Sequence, residues 1–73
     1  MWIKTSDGEQ LVKCIRVYLK KGKKQVELIG VIDCSTYGEQ FYVLGTYDNF
    51  ELAKIAFDKV SDAIEKGERM VTL

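Results

Sequence analysis

A chain of 73 residues, 30% of them charged and none of them proline, has room for one domain around one hydrophobic core. It contains no histidine, which excludes Ser-His and Cys-His nucleophile activation and every metal site that relies on imidazole. The formal charge is zero, but residues 1–24 carry seven Lys/Arg and two Asp/Glu, whereas residues 25–73 carry four and nine, which predicts an electrically polar molecule.

The first predicted elements are two strands joined by a tight turn. Residues 2–5 are extended, Asp7-Gly8 is a hairpin signature, and residues 11–20 resume an extended pattern. This turn places Trp2 opposite Lys13 and on the same face as the apolar side chains that point toward the core. Trp2 is therefore predicted to be a core residue.

Two further strands are predicted from the next turn signals, at residues 25–33 and 41–46. The four strands then form an antiparallel meander. If Gly22 and Lys23 form the loop of the second hairpin, Leu19 faces Val26, and one side of the sheet becomes apolar. That side is predicted to be the core face, and its members are Ile15, Val17, Leu19, Val26, Leu28 and Gly30.

One amphipathic helix is predicted at residues 49–66, because the hydrophobic period changes after the fourth strand from two to about 3.6. Asp48 is the predicted N-cap, Glu51 stands at capping-box spacing, and Gly67 is predicted to end the helix. Residues 69–73 are predicted to form a short closing strand, so the fold class is α+β with a single domain. The apolar stripe of the helix comprises Phe50, Ala53, Ala56, Phe57, Val60, Ala63 and Ile64.

No catalytic, cofactor or metal site is predicted. Cys14 and Cys34 are too few for a structural zinc site, and the register places Cys14 on the outer face and Cys34 on the inner one, so no disulfide is expected. The glycines form no phosphate-binding motif. The chain has no long apolar run and no secretory leader, so the expectation is a non-enzymatic, cytoplasmic protein that does not cross a membrane.

The first candidate functional surface is the outer face of the predicted sheet. The register gathers apolar side chains there, away from the helix: Ile3, Val12, Cys14, Ile29 and Val31. One helix cannot cover both faces of a sheet, and an exposed apolar patch on a small domain indicates a partner surface. A homodimer or another protein partner is predicted at this face. The alternative is that the sheet curls, or that the closing strand packs on it, and buries the patch.

The second candidate surface is the basic tip of the second hairpin. It combines Arg16 and Tyr18 with four lysines: Lys20, Lys21, Lys23 and Lys24. Lysines neutralise phosphates, and a tyrosine can stack on an unpaired base, so nucleic-acid binding is the alternative function. The competing interpretation is that these lysines keep the turn solvated and discourage the association of strand edges.

Several short segments resemble a group of known proteins. They are Met1-Trp2-Ile3-Lys4, Asp7-Gly8, Leu11-Val12, and Leu44-Gly45-Thr46-Tyr47 leading into an alanine-bearing helix. Together they resemble small uncharacterised proteins of Firmicutes and their phages, over most of the chain. The resemblance implies a sheet-plus-helix protein with no established activity, of a phage-type accessory or host-interacting kind. The leading prediction is a non-enzymatic protein-interaction module, either a homodimer or a small inhibitor-like binder, that uses the outer face of the predicted sheet.

Overall fold

The computed structural model describes residues 1–35 and 38–73, including all side chains in these ranges except those of residues 33–35, 38 and 39. The α+β class is as predicted, but the four-stranded meander is wrong. The strands form two three-stranded sheets, with the orders β2-β1-β6 and β3-β4-β5. In chain order the elements are β1 (Trp2–Lys4), β2 (Leu11–Lys13), β3 (Arg16–Lys21), β4 (Val26–Ser35), β5 (Gly38–Tyr47), α1 (Phe50–Glu65) and β6 (Met70–Thr72).

The first sheet is built around β1. This strand pairs antiparallel with β2, and Trp2 lies opposite Lys13 as predicted. On its other side β1 pairs in parallel with the closing strand β6, where Ile3 lies opposite Val71. Because β6 follows the helix, this pairing ties the two ends of the chain together.

The predicted strand at residues 11–20 is in fact two strands that belong to different sheets. The backbone N–H of Cys14 donates to the carbonyl of Met1 (2.8 Å), whereas the N–H of Ile15 donates to the carbonyl of Val31 in β4 (2.7 Å). The chain therefore passes from the first sheet to the second within two residues. This bend is the reason why a single flat meander does not form.

The hairpin of β3 and β4 has a four-residue loop, at residues 22–25, where a two-residue loop was predicted. Leu19 consequently faces Leu28, and Val17 faces Gly30, two residues away from the predicted register. A shift of two residues keeps every side chain on its original face. Leu28 is accordingly a core residue, and Val17 and Leu19 pack against that core, as predicted. The same prediction is wrong for Ile15, which precedes β3 and is 64% exposed.

The helix is capped one residue later than predicted. Asn49 is the N-cap, and its Oδ1 accepts a hydrogen bond from the N–H of Leu52 (2.9 Å). Asp48 therefore lies outside the helix, and Glu51 stands one position too early to complete a capping box. At the other end, Gly67 follows the last turn with φ of +71°, in the left-handed region, as predicted.

The core draws on both sheets and on α1. The helix contributes small side chains, Ala53, Ala56, Val60 and Ala63, which let the sheets approach its axis closely. Phe50 and Ile64, predicted to be in the apolar stripe, are 42% and 59% exposed. The other core residues come from the strands and from the bend between β2 and β3: Ile3, Val12, Cys14, Leu28, Leu44 and Val71.

Gly30 lies at a close approach between the two sheets. A Cβ atom built on Gly30 would stand 2.5 Å from the Sγ atom of Cys14 and 2.9 Å from a methyl group of Leu44. Only glycine fits there without displacing its neighbours. Cys14 is thus a free, buried thiol on the inner side, where the prediction had it on the outer face. The side chain of Cys34 lies outside the described residues.

Candidate functional site

The five residues predicted to form an exposed apolar patch are all buried, so that prediction is wrong. The exposed fraction is 0% for Ile3, 6% for Val12 and Cys14, and 1% for Ile29 and Val31. The first three belong to the core beside α1. The bend after Cys14 folds the first sheet over the second, so the side that a flat sheet would expose becomes the interior. Burial by curling, the alternative considered above, accounts for these three residues.

Ile29 and Val31 belong to the other face of the second sheet. They alternate with Leu28, which is in the core, and therefore point away from α1. Cross-strand neighbours flank them: Tyr18 and Val43 beside Ile29, and Arg16 and Phe41 beside Val31. The exposed apolar atoms on this face belong to Phe41 (59%) and Val43 (44%), while Ile29 and Val31 form the floor.

The basic residues predicted to bind nucleic acid are divided between two faces of β3. Arg16, Tyr18 and Lys20 alternate along one face, and the Cζ atom of Arg16 lies 5.3 Å from the centroid of the Tyr18 ring. Lys21 belongs to the opposite face, where its Nζ atom lies 4.5 Å from the centroid of the Phe50 ring. The six residues therefore do not form one continuous basic surface.

The tip of this hairpin is exposed and mixed in charge. Lys23 and Lys24 line a shallow groove together with Glu27. Across the strands, Glu27 lies directly opposite Lys20. A carboxylate among the lysines weakens the local attraction for phosphate groups.

A wide groove opens between β2 of the first sheet and strands β4 and β5 of the second sheet. Its volume is about 530 Å³, and its described lining residues are Trp2, Gln10, Leu11, Val12, Lys13, Ile32 and Tyr42. Three large side chains at the groove are largely exposed: Trp2 by 45%, Leu11 by 57% and Tyr42 by 46%. Trp2 is therefore not the core residue that was predicted. Because β1 turns Ile3 inward, the alternation of the strand turns Trp2 outward.

Two smaller grooves continue this surface toward the helix. One, of about 240 Å³, lies between β3 and α1 and is lined by Met1, Ile15 and Ile64 among others. The next is lined by Met1, Ile64 and also Trp2, so it joins the first two. We call the surface of these three grooves the apolar belt, and its exposed large apolar residues are Trp2, Leu11, Ile15, Tyr42 and Ile64.

Sequence reasoning missed the apolar belt, although one signal for it was available. The pairing of Trp2 with Lys13 was predicted, and a tryptophan that shares a strand face with an exposed lysine is consistent with a surface position. The prediction of a core position for Trp2 instead relies on the stem of Lys13 lying along apolar surface with its ammonium group in solvent. With the bend in place, the Trp2 side of the first hairpin faces outward.

Asp7, Cys14 and Tyr47 have pKa values shifted from their ordinary values, and each shift has a structural cause. The carboxylate of Asp7 accepts hydrogen bonds from the Thr5 hydroxyl and the Glu9 N–H, which hold its pKa below the ordinary value. Burial raises the pKa of the Cys14 thiol and of the Tyr47 hydroxyl. Asp7 lies at the turn between β1 and β2, whereas Cys14 and Tyr47 lie against the core.

Among the side chains that the structure describes, those of residues 1–32 and 40–73, no three acidic or cysteine side chains are grouped so that they could hold a metal ion. The one helix in the same ranges falls short of the length and apolar character required to cross a bilayer. The chain matches no protein-family model, no curated protein and no solved structure.

Proposed function

We propose that this protein is a non-enzymatic protein-interaction module that binds a partner through the apolar belt. The observation that carries the proposal is the exposure of large apolar side chains along connected grooves, from 45% for Trp2 to 64% for Ile15. Contiguous apolar surface on a small domain commonly marks a contact site. Tryptophan and tyrosine are also enriched among the residues that dominate binding energy at protein interfaces.

The lining of the largest groove supports binding rather than catalysis. Its described residues include two titratable side chains, Lys13 and Tyr42. Acid–base or nucleophilic catalysis requires a reactive group within hydrogen-bond reach of a second group that activates it. Apolar walls with a single cation at the rim instead resemble the composition of a site that holds side chains of another protein.

Peptide selection with matched variants tests this proposal. A random-peptide library is panned against the wild-type chain, and the enriched peptides are titrated by calorimetry against two double variants. We expect Trp2→Ser with Tyr42→Ser to weaken binding at least about tenfold, because truncation of hot-spot aromatics costs on the order of 2 kcal/mol each. The control, Leu52→Ser with Ile55→Ser, changes exposed apolar residues of α1 outside the apolar belt and should leave binding unchanged.

Two results would contradict the proposal. One is that panning yields no peptide with measurable affinity for the wild-type chain. The other is that the belt variant and the helix variant weaken binding equally, which would indicate non-specific apolar adhesion. Circular dichroism of both variants establishes that each keeps the fold.

Nucleic-acid binding is the second candidate, and one observation favours it. Arg16, Tyr18 and Lys20 share one face of the second sheet with Phe41, so that face combines two aromatic rings with two cations and the carboxylate of Glu27. Such a surface can stack unpaired bases and contact phosphates. Titration with single-stranded and duplex oligonucleotides at about 50 mM and 200 mM salt decides the matter, because phosphate contacts weaken steeply with salt. Absence of binding at the lower salt concentration removes this candidate.

A further inference from the structure

We infer that the partner contributes an extended segment that adds as a β-strand to the free edge of β2, and that this segment is apolar on one side and acidic. The inference rests on the proposed function, since it specifies what the largest groove of the apolar belt holds. It depends on three features of the structure: the edge position of β2, the walls of the groove beside it, and the local charge.

Among the described strands, none pairs with the edge of β2 that lies away from β1, and this free edge presents backbone hydrogen-bonding groups. β2 is the outer strand of the first sheet, with β1 on its other side. Toward β1, Cys14 donates to Met1 (2.8 Å) and the carbonyl of Gln10 accepts from Thr5 (2.9 Å). Backbone groups alternate in direction along a strand, so those of Leu11 and Lys13 point the other way.

This edge faces the groove. The backbone N–H of Ile15, two residues beyond Lys13, points to the same side of the chain as the N–H groups of Leu11 and Lys13, and it donates to the carbonyl of Val31 in β4 (2.7 Å). Beside β2 itself, this side of the chain opens onto the groove. Ile32 of β4 and Tyr42 of β5 form the far wall. At about 3.3 Å per residue, the three residues of β2 offer an edge of roughly 10 Å, which matches three or four residues of an added strand.

Strand addition is a recurrent mode of peptide recognition, in which main-chain hydrogen bonds supply affinity and pockets for alternate side chains supply specificity. A strand on β2 would direct every second side chain toward Ile32 and Tyr42. The exposed indole of Trp2 and the side chain of Leu11 widen this apolar contact. The groove therefore selects a segment with apolar residues at alternate positions.

The charge around the groove selects the remaining positions. Lys13 is the charged side chain among the described lining residues, and Lys4 lies opposite Leu11 on the same outward face of the first sheet. An acidic segment is attracted to this region, and the attraction raises its association rate. A second copy of the chain would bring the same basic region to the contact, so like-charge repulsion disfavours pairing between two β2 edges.

Amide hydrogen exchange with a designed probe tests the inference. The probe is a capped heptapeptide of alternating Glu and Val, added at millimolar concentration to the ¹⁵N-labelled wild-type chain. We expect the amide signals of Leu11 and Lys13 to shift and their exchange to slow by at least about tenfold at saturation, since both N–H groups gain partners. Amides on the exposed side of α1, such as that of Ile55, should not change.

Two control peptides separate strand addition from other contacts. One carries N-methyl groups at the residues whose N–H would face β2, which removes the donors, and it should lose the protection. The other has Lys in place of Glu and should bind at least about tenfold more weakly at low salt. Neither control alters the protein, so loss of fold cannot explain the outcome.

The possible failures have distinct meanings. If the alternating peptide leaves Leu11 and Lys13 unprotected, or protects them equally after N-methylation, strand addition is refuted, while the dependence of selected peptides on Trp2 and Tyr42 still decides the proposed function. If exchange at Leu11 and Lys13 slows with protein concentration alone, the occupant is a second copy, and the assignment to an acidic partner is overturned.

Discussion

The two faces of the hairpin formed by β1 and β2 differ in solvent exposure, and this difference explains where the core and the apolar belt lie. Ile3 and Val12 are 0% and 6% exposed, whereas their neighbours Trp2 and Leu11 on the same strands are 45% and 57% exposed. Trp2, the largest apolar side chain of β1 and β2, thus lies outside the core. Size does not decide which face is buried, because burial depends on what packs against a face. Here the alanines of α1 cover the Ile3 face, and no described element covers the Trp2 face.

The sharpest way to break this comparison is to truncate the two adjacent residues of β1. Ile3→Ala should lower the free energy of unfolding by about 2–5 kcal/mol, because it removes methyl groups from a fully buried site and leaves a cavity. Trp2→Ala should cost less than about 1 kcal/mol, since half of its surface is already in water. Urea unfolding followed by circular dichroism measures both values.

A chain of this size has only a few kcal/mol of stability, so Ile3→Ala can unfold it completely. Ile3→Val is the milder variant and should lower the free energy of unfolding by about 0.5–1.5 kcal/mol. Trp2→Ala should lower it by no more than Ile3→Val does. If Trp2→Ala proved as destabilising as Ile3→Ala, the assignment of the two faces would be incorrect.

The second prediction sharpens the comparison inside the core, at the contact between the two sheets. Gly30→Ala should cost about 1–3 kcal/mol, because the new Cβ meets Cys14 and Leu44 at less than van der Waals distance. Combining it with Cys14→Ala should recover part of the loss, since the Sγ atom is the nearest obstacle. Strict additivity of the two substitutions in a double-mutant cycle would show that Cys14 and Gly30 do not touch.

The third prediction concerns the start of α1 and has a smaller effect. Asn49→Ala should cost about 1 kcal/mol through loss of the hydrogen bond to the N–H of Leu52. Asp48→Ala, the matched control one residue earlier, should change the free energy of unfolding by no more than about 0.5 kcal/mol. A larger loss of stability for Asp48→Ala than for Asn49→Ala would indicate that Asp48 is the N-cap.

The smallest expected effect is the pH dependence that the buried thiol contributes. Burial raises the pKa of Cys14 in the folded chain, so the unfolded chain releases the thiol proton first as pH rises. The free energy of unfolding should therefore fall as pH rises through the ordinary thiol value of about 8.5. Cys14→Ala should flatten this slope between about pH 7.5 and 9.5. An unchanged slope would mean that the thiol is solvated in the folded state.

Local features of the fold could be predicted from the sequence because their signals are local. The helix, its end at Gly67, and the pairing of Trp2 with Lys13 all follow from periodicity and turn residues. The prediction that Val17, Leu19 and Leu28 point inward is correct although the predicted loop length was wrong. The error was two residues, and a shift of two residues leaves each side chain on the same face of the sheet. These features need no knowledge of distant parts of the chain.

The remaining features depend on contacts between distant residues. Residues 11–20 contain no glycine or proline, so nothing in their pattern marks the bend at Cys14 and Ile15. The parallel pairing of β1 with β6 joins residues about as far apart as the chain allows. Because the bend decides which face of the first hairpin is inside, the candidate interface was assigned to the buried side and the apolar belt was missed.

The most direct test of the account uses the single tryptophan, which lies in the groove beside β2. Acrylamide quenching of its fluorescence is measured in the folded chain, with and without the alternating Glu/Val peptide. The account predicts ready quenching of the free chain and marked protection at saturating peptide. A tryptophan already protected in the free chain, or equally quenched with and without the peptide, would contradict it.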